Sequence, residues 1–250
     1  MCSLTLTRNI KLTIEYDGTA YHGWQSQKNT VAVQDVISSA ICRLTDEKCS
    51  LTGSSRTDRG VHAFGQVASF KTESQIPAER IAFALNSMLP EDIVIKKSEE
   101  VDMDFHARFC AKGKTYKYLI YNFIFPSALL RYRAYHVSYP LDVEAMKQAS
   151  QYFLGTHDFF AFSATGSSAK TTVRTINSVS IRGSQPLTSL EISGDGFLYN
   201  MVRIIAGTLI EVGSGKIKPT DIAGIIDGRD RKKAGKTAPA HGLYLVEVNY

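Results

Sequence analysis

Along the chain the spacing of apolar positions switches between a period of two and a period near 3.6, and the switches mark out the elements. Strands are predicted over residues 10–16, 49–53, 66–70 and 93–97, with helices over 33–44 and 78–88 between them. That order is βαββαβ. The second half repeats it: a strand over 115–122, a helix over 142–154, strands over 175–182 and 188–193, a helix over 197–212 and a last strand over 243–248. An extra helix over 220–226 and a basic loop over 228–236 interrupt the repeat before its last strand. Each half reads as a split βαβ, ferredoxin-like unit, the chain order also used by RNA-recognition domains. The expected class is α+β with two halves, 1–104 and 105–250, and two meeting sheets would leave a cleft. No long Gly/Ser or Pro linker separates the halves, so close packing is expected.

Composition changes this picture only a little. With 44% hydrophobic residues over 250 positions, the chain can build cores without staples. Cys2, Cys42, Cys49 and Cys110 lie far apart with no C-x-x-C pair, which suggests neither a zinc site nor a disulfide framework. Reduced thiols fit a cytoplasmic protein. No apolar run has membrane-spanning length and no signal-peptide core opens the chain, so no membrane partner is expected. The net charge of +5 suits a polyanionic partner but also many ordinary enzymes. Placement says more. Lys112, Lys114 and Lys117 interleave with Tyr116, Tyr118 and Tyr121, and Arg229, Arg231, Lys232, Lys233 and Lys236 crowd one late loop. Cations with aromatics serve single-stranded nucleic acid through phosphate neutralisation and stacking. A solvated helix end and a tyrosine-rich strand would look the same.

Several motifs fail as sites. Gly215-Lys216 resembles the end of a phosphate loop, but Ile210 stands where glycine is needed and Ile217 where a hydroxyl would bind magnesium. Ser167 and Lys170 match a Ser-Lys nucleophile by spacing alone. The six histidines form no H-x-x-x-H pair and no cluster with Cys, Asp or Glu, so no metal is expected. The segment 53–63 differs, gathering Arg56, Asp58, Arg59 and His62 among small residues between two predicted strands. By composition alone the favoured reading is an ordinary polar turn capped by Thr57 or Asp58 before Gly60, its charges facing water. Arg203 weighs against that plainer reading. It stands amid Met201, Val202, Ile204, Ile205 and Leu209, in a helix apolar around much of its circumference. A guanidinium there needs an acidic partner, a structural ion pair or a snorkelling path to water.

These residues fall within blocks that resemble the TruA-type tRNA pseudouridine synthases, and the resemblance runs almost end to end. The blocks, in order, are Tyr16-Asp17-Gly18-Thr19-x-Tyr21-x-Gly23-Trp24-Gln25; Arg56-Thr57-Asp58-x-Gly60-Val61-His62-Ala63; Phe105-His106-Ala107-Arg108 leading to Lys114-Thr115-Tyr116-x-Tyr118; Asn200-Met201-Val202-Arg203; and Ala240-x-Gly242-Leu243-Tyr244-Leu245. The resemblance implies two ferredoxin-like halves in one continuous, mostly antiparallel sheet with a basic cleft. It implies isomerisation of uridine in the anticodon arm of tRNA by a homodimer, without metal or cofactor. Asp58 falls on the family's nucleophile, Tyr116 on its active-site tyrosine and Arg203 on its carboxylate-pairing arginine. Arg56 matches the arginine held to fill the space of the flipped base; Arg59, His62 and Lys114 are further expected substrate contacts. Ser55 replaces the usual glycine, and Arg59 a common alanine, adding a charge beside the nucleophile.

The chemistry suits these groups. A base can be detached, turned and rejoined only when it has left the helical stack for a dry pocket. Drying favours the neutral form of a carboxyl group, and a bidentate guanidinium restores the ionised one. Two other readings remain at this stage: a non-catalytic RNA-binding protein, and a carboxylate-dependent nucleoside or glycoside hydrolase with Asp17 or Glu15 as second acid.

Overall fold

Ile10, Leu12, Ile14 and Tyr16 alternate along the first strand and are each at most 3% exposed. Alternation turns all of them to one face. The computed structural model describes residues 6–166 and 169–250. By internal packing the chain forms two units, Met1–Ala111 together with Leu245–Tyr250, and Lys112–Tyr244.

The first unit runs β1 (Arg8–Tyr16), α1 (Val33–Thr45), β2 (Thr52–Gly53), β3 (His62–Thr72), α2 (Ala78–Asn86) and β4 (Ile93–Val101). Its strands lie in the order β4-β1-β3 with β2 on β3, and every pairing is antiparallel. That is the ferredoxin-like chain order. Val33, Ile37, Ala40 and Ile41 share the buried face of α1, and Ile81, Ala82 and Leu85 that of α2. Each large aliphatic contributes ~1.5–3 kcal/mol of burial. The Asp35 carboxylate accepts from the Ala32 N–H at 3.2 Å at the start of α1.

Among the elements whose bounds differ from the predicted ranges, β2 and β3 differ for identifiable reasons. β2 is shorter than the predicted 49–53, because α1 side chains take up the backbone groups before it. Gln34 Nε2 donates to the Leu51 carbonyl at 2.7 Å, and the Cys49 N–H reaches Cys42 Sγ at 3.4 Å. β3 is longer than 66–70, since its buried positions include His62, Gln66, Ser69 and Thr72, which hide the apolar alternation.

The second unit continues with β5 (Gly113–Asn122), β6 (Tyr135–Val137), α3 (Val143–Ser150), β7 (Gly155–Asp158), β8 (Val173–Ser184), β9 (Leu187–Gly194), α4 (Met201–Gly213), α5 (Asp221–Asp227) and the start of β10 (Leu243–Asn249). Strands β5-β9-β8-β7 pair antiparallel in that order, and β6 runs parallel to β5. Removing β6, β7 and α5 leaves the repeat read from the sequence. β6 and β7 are too short and polar to show a period. The helix predicted over 142–154 is capped by Asp142, whose carboxylate accepts from Ala145 N–H at 2.9 Å, and tightens into a 3-10 turn at Gln151–Phe153. No helix among the described residues is long and apolar enough to cross a membrane.

Candidate active site

Asp58 lies in a turn that leads into β3. Its carbonyl accepts from the Val61 N–H at 3.1 Å, and Gly60 within the turn has a φ of 78°. Glycine adopts that left-handed backbone without steric cost. Thr57, 8% exposed, shares a 2.7 Å hydrogen bond between its Oγ1 and the Tyr16 hydroxyl. Its carbonyl accepts from the Trp24 N–H at 3.1 Å. A methyl group at Gly18 would land on the Val61 carbonyl, and one at Gly23 on that of Thr57. The segment from Tyr16 to Trp24 is thus packed backbone to backbone against the Asp58 turn.

The other side is held as well. Gln66, fully buried, accepts from Ser54 Oγ at 2.7 Å and donates to the Ser55 carbonyl at 2.8 Å. His62 is 2% exposed; its Nδ1 lies 3.1 Å from the Gly18 N–H and 3.0 Å from Asp17 Oδ1. An unprotonated Nδ1 accepts from the Gly18 N–H and a protonated one donates to the Asp17 carboxylate, so either form ties β3 to the 17–18 segment. Asp17 Oδ1 also accepts from Thr19 N–H at 3.0 Å. Asp58 itself is half-buried, whereas Arg56 and Arg59 are exposed on the same turn. The result is a carboxylate on preorganised backbone with two cations beside it in sequence.

In the second unit, Tyr116 on β5 is 8% exposed and meets Phe197 edge-on, with ring centroids 5.2 Å apart at 84°. Lys114, half-buried, precedes it on the same strand face. Tyr118 has a packing role: it is fully buried, its hydroxyl donates to the Pro239 carbonyl at 2.8 Å, and Gly242 lies against its ring. Burial pushes its phenol well above the ordinary range.

Arg203 is held by oxygen acceptors on two sides. Its Nε donates to the Ala238 carbonyl at 2.8 Å and its Nη1 to Asn200 Oδ1 at 2.7 Å, while the Ala238 N–H returns a bond to the Arg203 carbonyl at 3.1 Å. Eleven of the thirteen residues of α4 are buried, all but Arg203 and Glu211, as the apolar pattern implied. The helix begins at Met201 rather than 197 because Asn200 adopts a left-handed backbone with a φ of 61°. His241 stays below the usual histidine range, first through burial and then through the charge of Arg203, against a hydrogen bond with the Ala134 backbone.

The late basic loop divides by role. Arg231 turns inward, its Nη1 donating to the Gly235 carbonyl at 2.9 Å and its Nη2 to Thr237 Oγ1 at 3.1 Å. Arg229 pairs with Asp158 at 3.2 Å. Lys232, Lys233 and Lys236 stay exposed.

The first unit carries Arg56, Asp58, Arg59 and His62 on one clamped turn, and the second carries Lys114 and Tyr116 on β5 and Arg203 on α4. Sequence reasoning gave Thr57 only the role of a turn cap and assigned none to Tyr16, Gln66, Asn200 or Ala238, which position these residues. Most stand inside or beside the quoted blocks, the one signal that could have found them. No cluster of metal-ligating side chains occurs among the described residues, and Cys42, Cys49 and Cys110 are free thiols. Cys2 and Ser167 lie outside the described residues.

Fold and turn define a class: an α+β protein of ferredoxin-like chain order that presents a carboxylate on rigid backbone. A family model described as tRNA pseudouridine synthase matches residues 12–110 and 149–250. The tRNA pseudouridine synthase A of Acetivibrio thermocellus is 66% identical over 243 residues, covering 97% of this chain and 100% of that protein. The proteins of the same name from Ruminiclostridium cellulolyticum and Thermoanaerobacter sp. (strain X514) are 57% and 52% identical, each over 97% of this chain and all of their own length. The chain belongs to the tRNA pseudouridine synthase family of isomerases.

Proposed function

We propose that the chain isomerises uridine to pseudouridine in the anticodon arm of tRNA, with Asp58 as the nucleophile on a uridine turned out of the stack. The N1–C1′ bond breaks, the C5–C1′ bond forms, C5 gives up its proton and N1 gains one. Nothing is oxidised or reduced and no co-reactant is consumed. Tyr116 offers its face to the uracil and its hydroxyl to the departing C5 proton, and Arg203 keeps the nucleophile ionised and oriented. Arg56 occupies the place left by the base, Arg59 and Lys114 contact the RNA backbone, and His62 serves the substrate site through the turn it holds.

The observation that carries this reading is the Asp58 turn, fastened through Thr57 and Val61 to the 16–24 segment and through Ser54 and Ser55 to Gln66. Such fastening suits a group that must meet a reacting atom with little reorganisation. The test is tritium release from tRNA labelled at uracil C5. Wild-type protein should release it, and Asp58→Asn should abolish release while tRNA binding persists. Release at the normal rate by Asp58→Asn would remove Asp58 as nucleophile; free uracil as product would mark a hydrolase instead. Arg203→Lys should lose most of the rate with little change in tRNA affinity, because lysine lacks the planar fork.

The same reading places the protein in the cytoplasm as a homodimer. The dimer is supported by Ile124, Phe125 and Leu129, which are 66%, 67% and 90% exposed in the connection after β5. Large apolar side chains exposed close together in the chain suit an association face.

A further inference from the structure

We infer that Asn200 is a positioning residue of this active site, setting the plane in which Arg203 presents its guanidinium; the inference rests on the role proposed for Arg203. Asn200 stands at the N-cap of α4, where asparagine ordinarily turns its side-chain oxygen to the orphan N–H groups of the first turn. Here no such bond exists; Oδ1 instead accepts from Nη1 of Arg203, the third residue of the helix, at 2.7 Å. The backbone is unusual too, with φ 61° and ψ 7°. Asparagine is among the few residues that enter the left-handed region readily. From that conformation it does two jobs at once. Its carbonyl accepts the Ile204 N–H at 2.9 Å, while its side chain takes Arg203.

The arrangement gives up a helix cap and adopts an uncommon backbone, and its visible return is the fixing of one side chain. The second anchor, from Nε to the Ala238 carbonyl at 2.8 Å, acts at a different nitrogen. A bond at one nitrogen constrains the guanidinium plane less than bonds at two. Two anchors at separate nitrogens set its plane, which a bidentate contact with a carboxylate requires. Of these two anchors, Ala238 contributes through its backbone, so the Asn200 anchor is the one that substitution can remove.

The experiment compares Asn200→Gly with Asn200→Asp in the tritium-release assay on full-length protein. Glycine keeps the left-handed backbone and deletes the acceptor, avoiding the strain that alanine would add at this φ. We expect it to lower kcat about 10- to 100-fold with KM for tRNA and Tm nearly unchanged, the scale on which a small misplacement of a reacting group is felt. Aspartate keeps both the backbone and an oxygen at Oδ1, and should recover activity over glycine. Wild-type kcat in Asn200→Gly, a loss confined to KM or paralleled by a collapse in Tm, or no recovery with aspartate would each overturn the inference. Arg203→Lys, assayed alongside, separates the two levels. If it is inactive while Asn200→Gly is normal, only the positioning role fails; if it is fully active, the role given to Arg203 fails first.

Discussion

Asp58 illustrates how little a residue's own neighbours in sequence reveal. Its loop composition fits a plain polar turn, and it is a turn: Gly60 takes a φ of 78° and Asp58 closes onto Val61. What separates it from a surface turn is Thr57 beside it, buried and bonded to the Tyr16 hydroxyl, a partner 41 residues away in sequence. His241 teaches the same lesson through its titration. Burial, reinforced by the Arg203 charge, holds it below the ordinary 6.5. The unfolded chain therefore binds a proton that the folded chain refuses, and stability present above pH 6.5 is lost as pH falls from 6.5 toward the depressed folded value. The Tm of the wild type should accordingly fall more steeply between about pH 7 and about pH 5 than that of His241→Gln. Parallel slopes would show that His241 is not the group responsible.

At the scale of elements, α4 shows where propensity and packing part. Gly207 sits in its interior, where alanine ordinarily stabilises a helix by ~1 kcal/mol. A methyl group there would land on the Lys236 carbonyl, and overpacking costs about 1–3 kcal/mol, so the packing effect wins. Gly207→Ala should lower Tm, and it should reduce turnover as well, because the displaced strand of loop carries the Ala238 carbonyl that holds Arg203. Gly224 in α5 is the control: nothing lies within 4 Å of its added methyl group, so Gly224→Ala should raise Tm. A rise in Tm for both variants, read by thermal unfolding, would mean that propensity alone governs these helices. Length explains why the long elements were legible while β6 and β7 were not, since three or four residues cannot display a period.

For the molecule as a whole, the doubled βαββαβ order was the strongest signal, and the strand pairings of the first unit reproduce the ferredoxin-like arrangement it implied. Apolar exposure after β5 extends the argument to assembly. A stable interface removes about 800 Å² per partner, and in the proposed dimer exposed side chains such as Leu129 and Phe125 would form its apolar centre. Solution mass should be twice that of the chain, and the double substitution Ile124→Glu with Leu129→Glu should yield a folded monomer. A wild-type monomer at micromolar concentration would remove the homodimer from the proposal.

Apolar periodicity by itself determined the order and kind of the long elements, because burying one face of a helix or strand imposes its period directly on the sequence. Asp58, Tyr116 and Arg203 were singled out by the resemblance of ordered blocks to a family, not by periodicity. Only the tertiary structure decided how the Asp58 turn is held by Tyr16, Thr57 and Gln66, that Tyr118 is a packing residue, that Arg231 staples its own loop, and that Asn200 forgoes its helix cap for Arg203. Each of these depends on a hydrogen bond whose partner is set by the folded backbone. A polar side chain that points inward and one that points to water carry the same letter in the sequence.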